Sequence, residues 1–155
     1  LIEKPETIYA GKIGYASSEE DESYVDQVRE SFRMDIIDKP TDPQWVVAMN
    51  IDYWKKDADK RGMMFAKEVA TDKQPEGIDV YVLPASTYIK VFHDDNAAKL
   101  LGKEHCAHWE LFELITKTVM VQYGYKHATN GAQDLETHNF SNHHCYAYIP
   151  VESIN

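Results

Sequence analysis

The chain is short of the features that mark several large protein classes. It has two cysteines, Cys106 and Cys145, too few for a disulfide framework, which points to a reducing, cytoplasmic setting. No apolar run approaches the length that spans a bilayer, and no basic, apolar, small-residue leader opens the chain at Leu1. No membrane association is expected. Basic residues are scarce, 16 against 26 acidic, a formal net charge of −10. Such a surface repels phosphate backbones and anionic membrane faces. With neither a basic stripe nor a helix-turn-helix segment, direct nucleic-acid binding is not expected. Also missing are paired C-x-x-C knuckles, H-E-x-x-H, a glycine-rich phosphate loop, a nucleophile elbow and a Ser-His-Asp order. The clusters His105-Cys106-Ala107-His108 and His138 with His143-His144-Cys145 lack closed four-ligand spacing. The expectation is no metal and no cofactor.

What is present suits a folded core: 43% hydrophobic and 27% charged residues over 155 positions, with ten tyrosines. Ile8 to Tyr15 reads as a strand, with Gly11 and Gly14 as bulge or close-approach positions. Ser17 or Ser18 followed by Glu19, Glu20 and Asp21 starts a helix, on which Tyr24, Val25, Val28 and Phe32 recur at helical spacing. The prolines at 40 and 43 end it. Trp45 to Tyr53 and Met63 to Val69 read as strands, with a charged turn from Lys55 to Arg61. After a polar joint at Thr71–Gly77 the order repeats. A strand runs from Asp79 to Leu83 and on from Thr87 to His93, then a helix from about Glu104 to Tyr123. Trp109, Phe112, Ile115 and Val119 form that helix's stripe, and Trp109 is expected in the core. Asn130-Gly131 turns the chain into strands near Leu135–Phe140 and Cys145–Val151.

Two strand–helix–strand–strand modules, about 1–72 and 76–155, predict an α+β fold. It is a single pseudo-twofold antiparallel-sheet domain over 1–155, with helices on one face and a central cleft.

Several residues carry a resemblance to a known family. Lys4-Pro5 opens the chain, Pro84, Tyr88 and His93 mark the second module's start, and Glu136 stands in an alternating strand before the closing Ile149-Pro150-Val151. This pattern resembles GyrI-like domains, a family that includes the effector-binding domains of multidrug-responsive transcription regulators. There are departures: Asp94-Asp95-Asn96 replaces a usual glycine, and Thr137-His138 replaces the usual tyrosine after the glutamate. The resemblance implies a pocket for bulky, lipophilic, aromatic or cationic molecules, with Glu136 as its central carboxylate. It also implies a sensor or drug-sequestering role. A second implied activity is hydrolysis of cyclopropane-bearing electrophiles, with Glu136 as general base.

Alternation places Cys145, Ala147, Ile149 and Val151 on a small-apolar face suited to lie under a helix, with Tyr146 and Tyr148 opposite. Glu136 is expected to share the tyrosine face. Trp45, Val47, Met49, Ile51 and Tyr53 would form the far wall, and Tyr88 would complete the site. Tyrosine and tryptophan π faces attract cations, and a carboxylate held out of water is relieved by one. Trp45 and Trp54 are equally open to core or ligand roles. Lys67, Lys90 and the Lys55-Lys56 pair read as solvated charges. A transcriptional role would need a partner or a segment outside this chain, and a homodimer stays open.

Overall fold

The computed structural model describes residues 1–16, 26, 28, 30–54, 61–93, 108–139, 141–142 and 144–154. The expected cap at Ser17 or Ser18, the positions Tyr24 and Val25, the charged run 55–60, the helix start at Glu104, Cys106, Phe140 and His143 lie outside them.

Nine strands are formed among the described residues: β1 (Ile2–Lys4), β2 (Thr7–Ala16), β3 (Trp45–Ile51), β4 (Arg61–Val69), β5 (Asp79–Leu83), β6 (Ser86–Phe92), β7 (Tyr125–His127), β8 (Asp134–Asn139) and β9 (Cys145–Ser153). They join in one antiparallel sheet ordered β1-β6-β9-β8-β3-β4-β2-β5, with β7 on β9. The order is a palindrome. The three strands β2-β4-β3 of the first half mirror β6-β9-β8 of the second, and β3 pairs with β8 at the centre. The outer strands are exchanged: β1 pairs with β6 of the second half and β5 with β2 of the first. The sheet curls into a half-barrel, and the fold is α+β with a cleft, as the repeated element order predicts.

The inner face is a packed core. Tyr9, Val47, Met49, Met64, Ala66, Leu83, Tyr88, Leu135 and Tyr148 meet there from strands of both halves. Gly11 allows β2 to lie close on β4, since a Cβ at that position would stand 1.9 Å from the Phe65 carbonyl oxygen.

The outer face carries helix. α1 (His108–Leu114) continues through a π-helical turn, Ile115–Val119, into α2 (Met120–Tyr123), which ends on Gly124 at φ 76°. Leu111, Phe112, Ile115 and Met120 pack on Ala147, Ile149 and Val151 of β9. Trp109 is 65% exposed, which corrects its expected place in the core. Leu111, Phe112 and Ile115 span an arc whose middle lies about 110° from Trp109 at 100° per residue. The π-turn inserts one residue, so Met120 is fully buried and Val119 only partly. In the first half, Asp26, Val28, Glu30 and Ser31 are helical. Phe32 and Ile37 follow them and pack on Ile8, Ala10 and Val69.

Candidate functional site

Pairing register decides which predicted site residues meet. Tyr148 pairs with Leu135 and Tyr146 with Thr137, whereas Glu136 pairs with Ala147 and, on its other side, with Ala48. Directly paired residues share a face, so Glu136 lies on the helix-bearing face. Trp45, Met49, Ile51, Tyr88, Tyr146 and Tyr148 point to the inner face. The expectation that Glu136 shares a face with these residues is corrected. Alternation within β8 was read correctly, but its phase against β9 is set by pairing, and one residue of register moves every side chain across the sheet. Tyr53 joins neither group: β3 stops at Ile51, and Tyr53 sits 41% exposed in the turn that follows.

Around Glu136 the strands set out a row: Phe65 on β4, Ala48 on β3, Glu136 on β8, Ala147 on β9 and Val91 on β6. Ala147 in this row is buried under α1 and Ala48 is 4% exposed, while Phe32 and Ile37 pack further along the same face. The Glu136 side chain, between the two alanines, is 17% exposed.

The residue two places on, His138, pairs directly with Cys145. Its Nε2 stands 3.9 Å from the Cys145 Sγ and 3.7 Å from the Glu136 Oε2. The hydrogen bond to Cys145, then that to Glu136, push the imidazole up to about 9 from 6.5, against the opposing effect of burial. At neutral pH His138 is therefore a cation at the carboxylate's side. Two residues before Glu136, the buried Asp134 has its Oδ1 3.3 Å from the His127 Nε2. Burial raises its carboxyl above the usual range, with His127 pulling the other way.

The Asp134 end of this face is aromatic. The Trp54 indole stacks on the His127 ring at 4.9 Å between centroids and 3° between planes. A buried amide holds the turn carrying Trp54: Gln133 Nε2 donates to Asp52 Oδ1 at 3.1 Å and to Tyr81 Oη at 3.2 Å. The Asp52 N–H donates back to Gln133 Oε1 at 3.0 Å. Asp52 itself has φ 60°, which turns the chain sharply out of β3. His127, Asp134 and Gln133 were not singled out by sequence reasoning, and Trp54 was left open between core and ligand roles. The available signal was the Asp134-x-Glu136-x-His138 alternation, three titratable side chains along one strand face.

The inner tyrosines have company of their own sign-seeking kind. Lys90 Nζ lies 4.3 Å from the Tyr146 ring centroid and 5.6 Å from that of Tyr148, and Lys4 Nζ lies 5.4 Å from Tyr148. The ring faces expected to receive a ligand cation already face the protein's own ammonium groups. Lys67, expected to be solvated, is 5% exposed, and its ammonium donates to the Pro43 carbonyl.

No protein-family model matches the chain, and no curated protein matches it by sequence. Solved structures do. SAV2435 bound to tetraphenylphosphonium aligns at a TM-score of 0.63 and 12% identity, over 97% of this chain and 92% of that one. A protein from Staphylococcus aureus MU50, provisionally assigned to bacterial transcription regulation, aligns at 0.62 and 14%, over 98% and 96%. The EcmrR C-terminal domain aligns at 0.57 and 19%, over 98% and 95%. At these identities the likeness is one of fold. No described helix is long and apolar enough to cross a membrane.

Proposed function

We propose that this chain, which has the fold of GyrI-like effector-binding domains, binds bulky aromatic cations on the helix-bearing face beside Glu136. The 1–155 chain would act as one domain of two pseudo-repeats, about 1–72 and 76–155, serving as a ligand sensor or a drug-sequestering protein. The observation that carries this reading is Glu136, a mostly buried carboxylate between Ala48 and Ala147 with the His138 imidazole 3.7 Å away. A carboxylate held mostly out of water attracts positive charge. A bulky cation at its exposed edge would compete with His138 for it without precise hydrogen-bond geometry. The stacked Trp54–His127 pair offers it an aromatic flank. The tetraphenylphosphonium bound by SAV2435, a structure of the same fold, belongs to this ligand class and supports the reading. A transcriptional output, by analogy with the EcmrR C-terminal domain, would pass through a protein partner or a further segment.

The test is fluorescence-competition titration of tetraphenylphosphonium and of neutral triphenylphosphine oxide against the wild type and Glu136→Gln. The variant keeps shape and removes charge. Cation affinity should fall by about 1.5–3 kcal/mol, the range for a hydrogen-bonding partner that is charged, with the neutral ligand little changed. Equal losses for both ligands would make Glu136 a structural residue and overturn the assignment. Unchanged binding with lost turnover of an electrophilic ligand would replace it with a hydrolase.

A further inference from the structure

The start of β9 holds a nucleophile, Cys145, that cation binding leaves without a role. Cys145 is a thiol set in a cross-strand row. His138 of β8 pairs with it on one side. On the other side the His93 N–H donates to the Cys145 carbonyl at 2.9 Å, which carries the β6–β9 ladder one place past the Phe92–Tyr146 pair. His93 thereby stands opposite Cys145, two residues on from Val91 and on the same helix-bearing face. The thiol lies between histidines of both neighbouring strands. The His138 Nε2 is 3.9 Å from the Cys145 Sγ, and the Glu136 Oε2 is 3.7 Å from the same nitrogen.

A cysteine packed only among apolar side chains is inert. Here the hydrogen bonds to Cys145 and then to Glu136 hold the imidazole up to about 9, so a cation stands beside the sulfur at neutral pH. Positive charge there stabilises the negative charge that sulfur carries as it attacks. The titratable groups facing the thiol are His138 and Glu136 from β8 and His93 from β6, while α1 meets β9 with Leu111, Phe112 and Ile115. Cys145 is 9% exposed, but the His138 side chain against it is 42% exposed, so a small molecule reaches the sulfur from the imidazole side. Val46, paired with His138, and Val91, paired with Ala147, line that approach. An apolar lining favours a carbon electrophile over a peroxide.

We propose that Cys145 captures small α,β-unsaturated carbonyl compounds as thioethers, with His138 as its charge partner and proton donor. The thiol releases its proton to solvent, and the Sγ electron pair forms a bond to the β-carbon. The C=C π pair moves toward the carbonyl as an enolate. The His138 Nε2–H protonates that enolate, and the imidazole regains a proton from solvent. One thiol adds across one double bond, with nothing oxidised or reduced. The proposal does not rest on the cation-binding reading: capture is covalent, needs no positive charge on the ligand, and stands if tetraphenylphosphonium fails to bind.

The probe is N-ethylmaleimide, an α,β-unsaturated dicarbonyl, reacted at pH 7 with the full chain and with glutathione as reference thiol. Peptide mapping by mass spectrometry separates adducts at Cys145 from those at Cys106. Wild-type Cys145 should react about tenfold faster than glutathione, because an ordinary thiol is only a few per cent thiolate at this pH. Its rate should stay level in urea below the unfolding transition. His138→Gln, with its melting temperature recorded, should slow Cys145 by about tenfold, as expected when a thiol loses an adjacent imidazolium. A Cys145 rate at or below that of glutathione would overturn the proposal. So would a rate that climbs with urea, the behaviour of an inert thiol exposed by unfolding, or an undiminished rate in folded His138→Gln. If that variant does not fold, the two wild-type measurements decide.

Discussion

The two faces of the central sheet come from the same strands, yet they are built for different ends. On the inner face, large side chains from both halves interlock: Met49, Met64, Tyr88 and Leu135 are at most 0% exposed to the nearest percent. On the helix-bearing face the same central strands carry Ala48, Asp134, Glu136 and His138. Bulk and closure mark one face, while small residues beside ionisable ones mark the other. Closure stabilises the fold, while the ionisable residues give the other face its charge. The aromatic residues and the carboxylate, which sequence reasoning joined in one site, are divided between these faces.

The sharpest way to break that comparison is to remove bulk from the inner face. Leu135→Ala should cost about 2–5 kcal/mol in urea unfolding, the range for a fully buried leucine. The folded variant should still bind tetraphenylphosphonium as the wild type does. A parallel loss of cation affinity would mean that the two faces are not separable.

Adding bulk on the helix-bearing face is the converse experiment. Ala48→Leu should lower tetraphenylphosphonium affinity and, because Ala48 is only 4% exposed, should also cost about 1–3 kcal/mol of stability by overpacking. Calorimetric titration at a temperature well below the variant's melting point separates the two effects. Undiminished cation binding in this variant would move the ligand away from the Ala48–Glu136–Ala147 row.

A smaller effect is expected from pH. His138 is raised to about 9 in the folded chain from an ordinary 6.5, so its stabilising contribution is complete below about 6.5. That contribution is lost as pH rises through about 9. Because the His138 side chain is 42% exposed, solvent screening keeps the change small. Over the same window a ligand cation ceases to compete with the imidazolium for Glu136. Tetraphenylphosphonium affinity should therefore rise a few-fold between pH 7 and 9.5, by roughly the worth of one screened ion pair. His138→Gln should flatten the profile. A profile that falls with pH in both proteins would show that His138 is not Glu136's competing cation.

The smallest effect belongs to Trp109. With 65% of its surface exposed, Trp109→Ala should change unfolding free energy by no more than about 0.5 kcal/mol. A large loss would restore the tryptophan to the core that helical spacing predicts for it.

Periodicity determined much of this molecule by itself. The strands expected at Ile8–Tyr15 and Cys145–Val151 are formed as β2 and β9, and the repeated element order yields the mirrored halves. The small face of β9 lies under a helix, as Ala147, Ile149 and Val151 predict. These are local properties: a strand's two faces and a helix's stripe follow from side-chain direction along one element. Three features did not follow, because each depends on how separate elements meet. β7 is three residues long, and Tyr125-Lys126-His127 becomes a strand only by pairing with the end of β9. The π-turn at Ile115–Val119 rotates the helix stripe after the residues that set it. Above all, Glu136 reached the helix face, and Tyr146 and Tyr148 the inner one, through the registry of β8 against β9. Alternation fixes which residues of a strand agree with one another. Only the hydrogen-bonded pairing of strands, chosen by the packing of the whole sheet, decides which face each set receives.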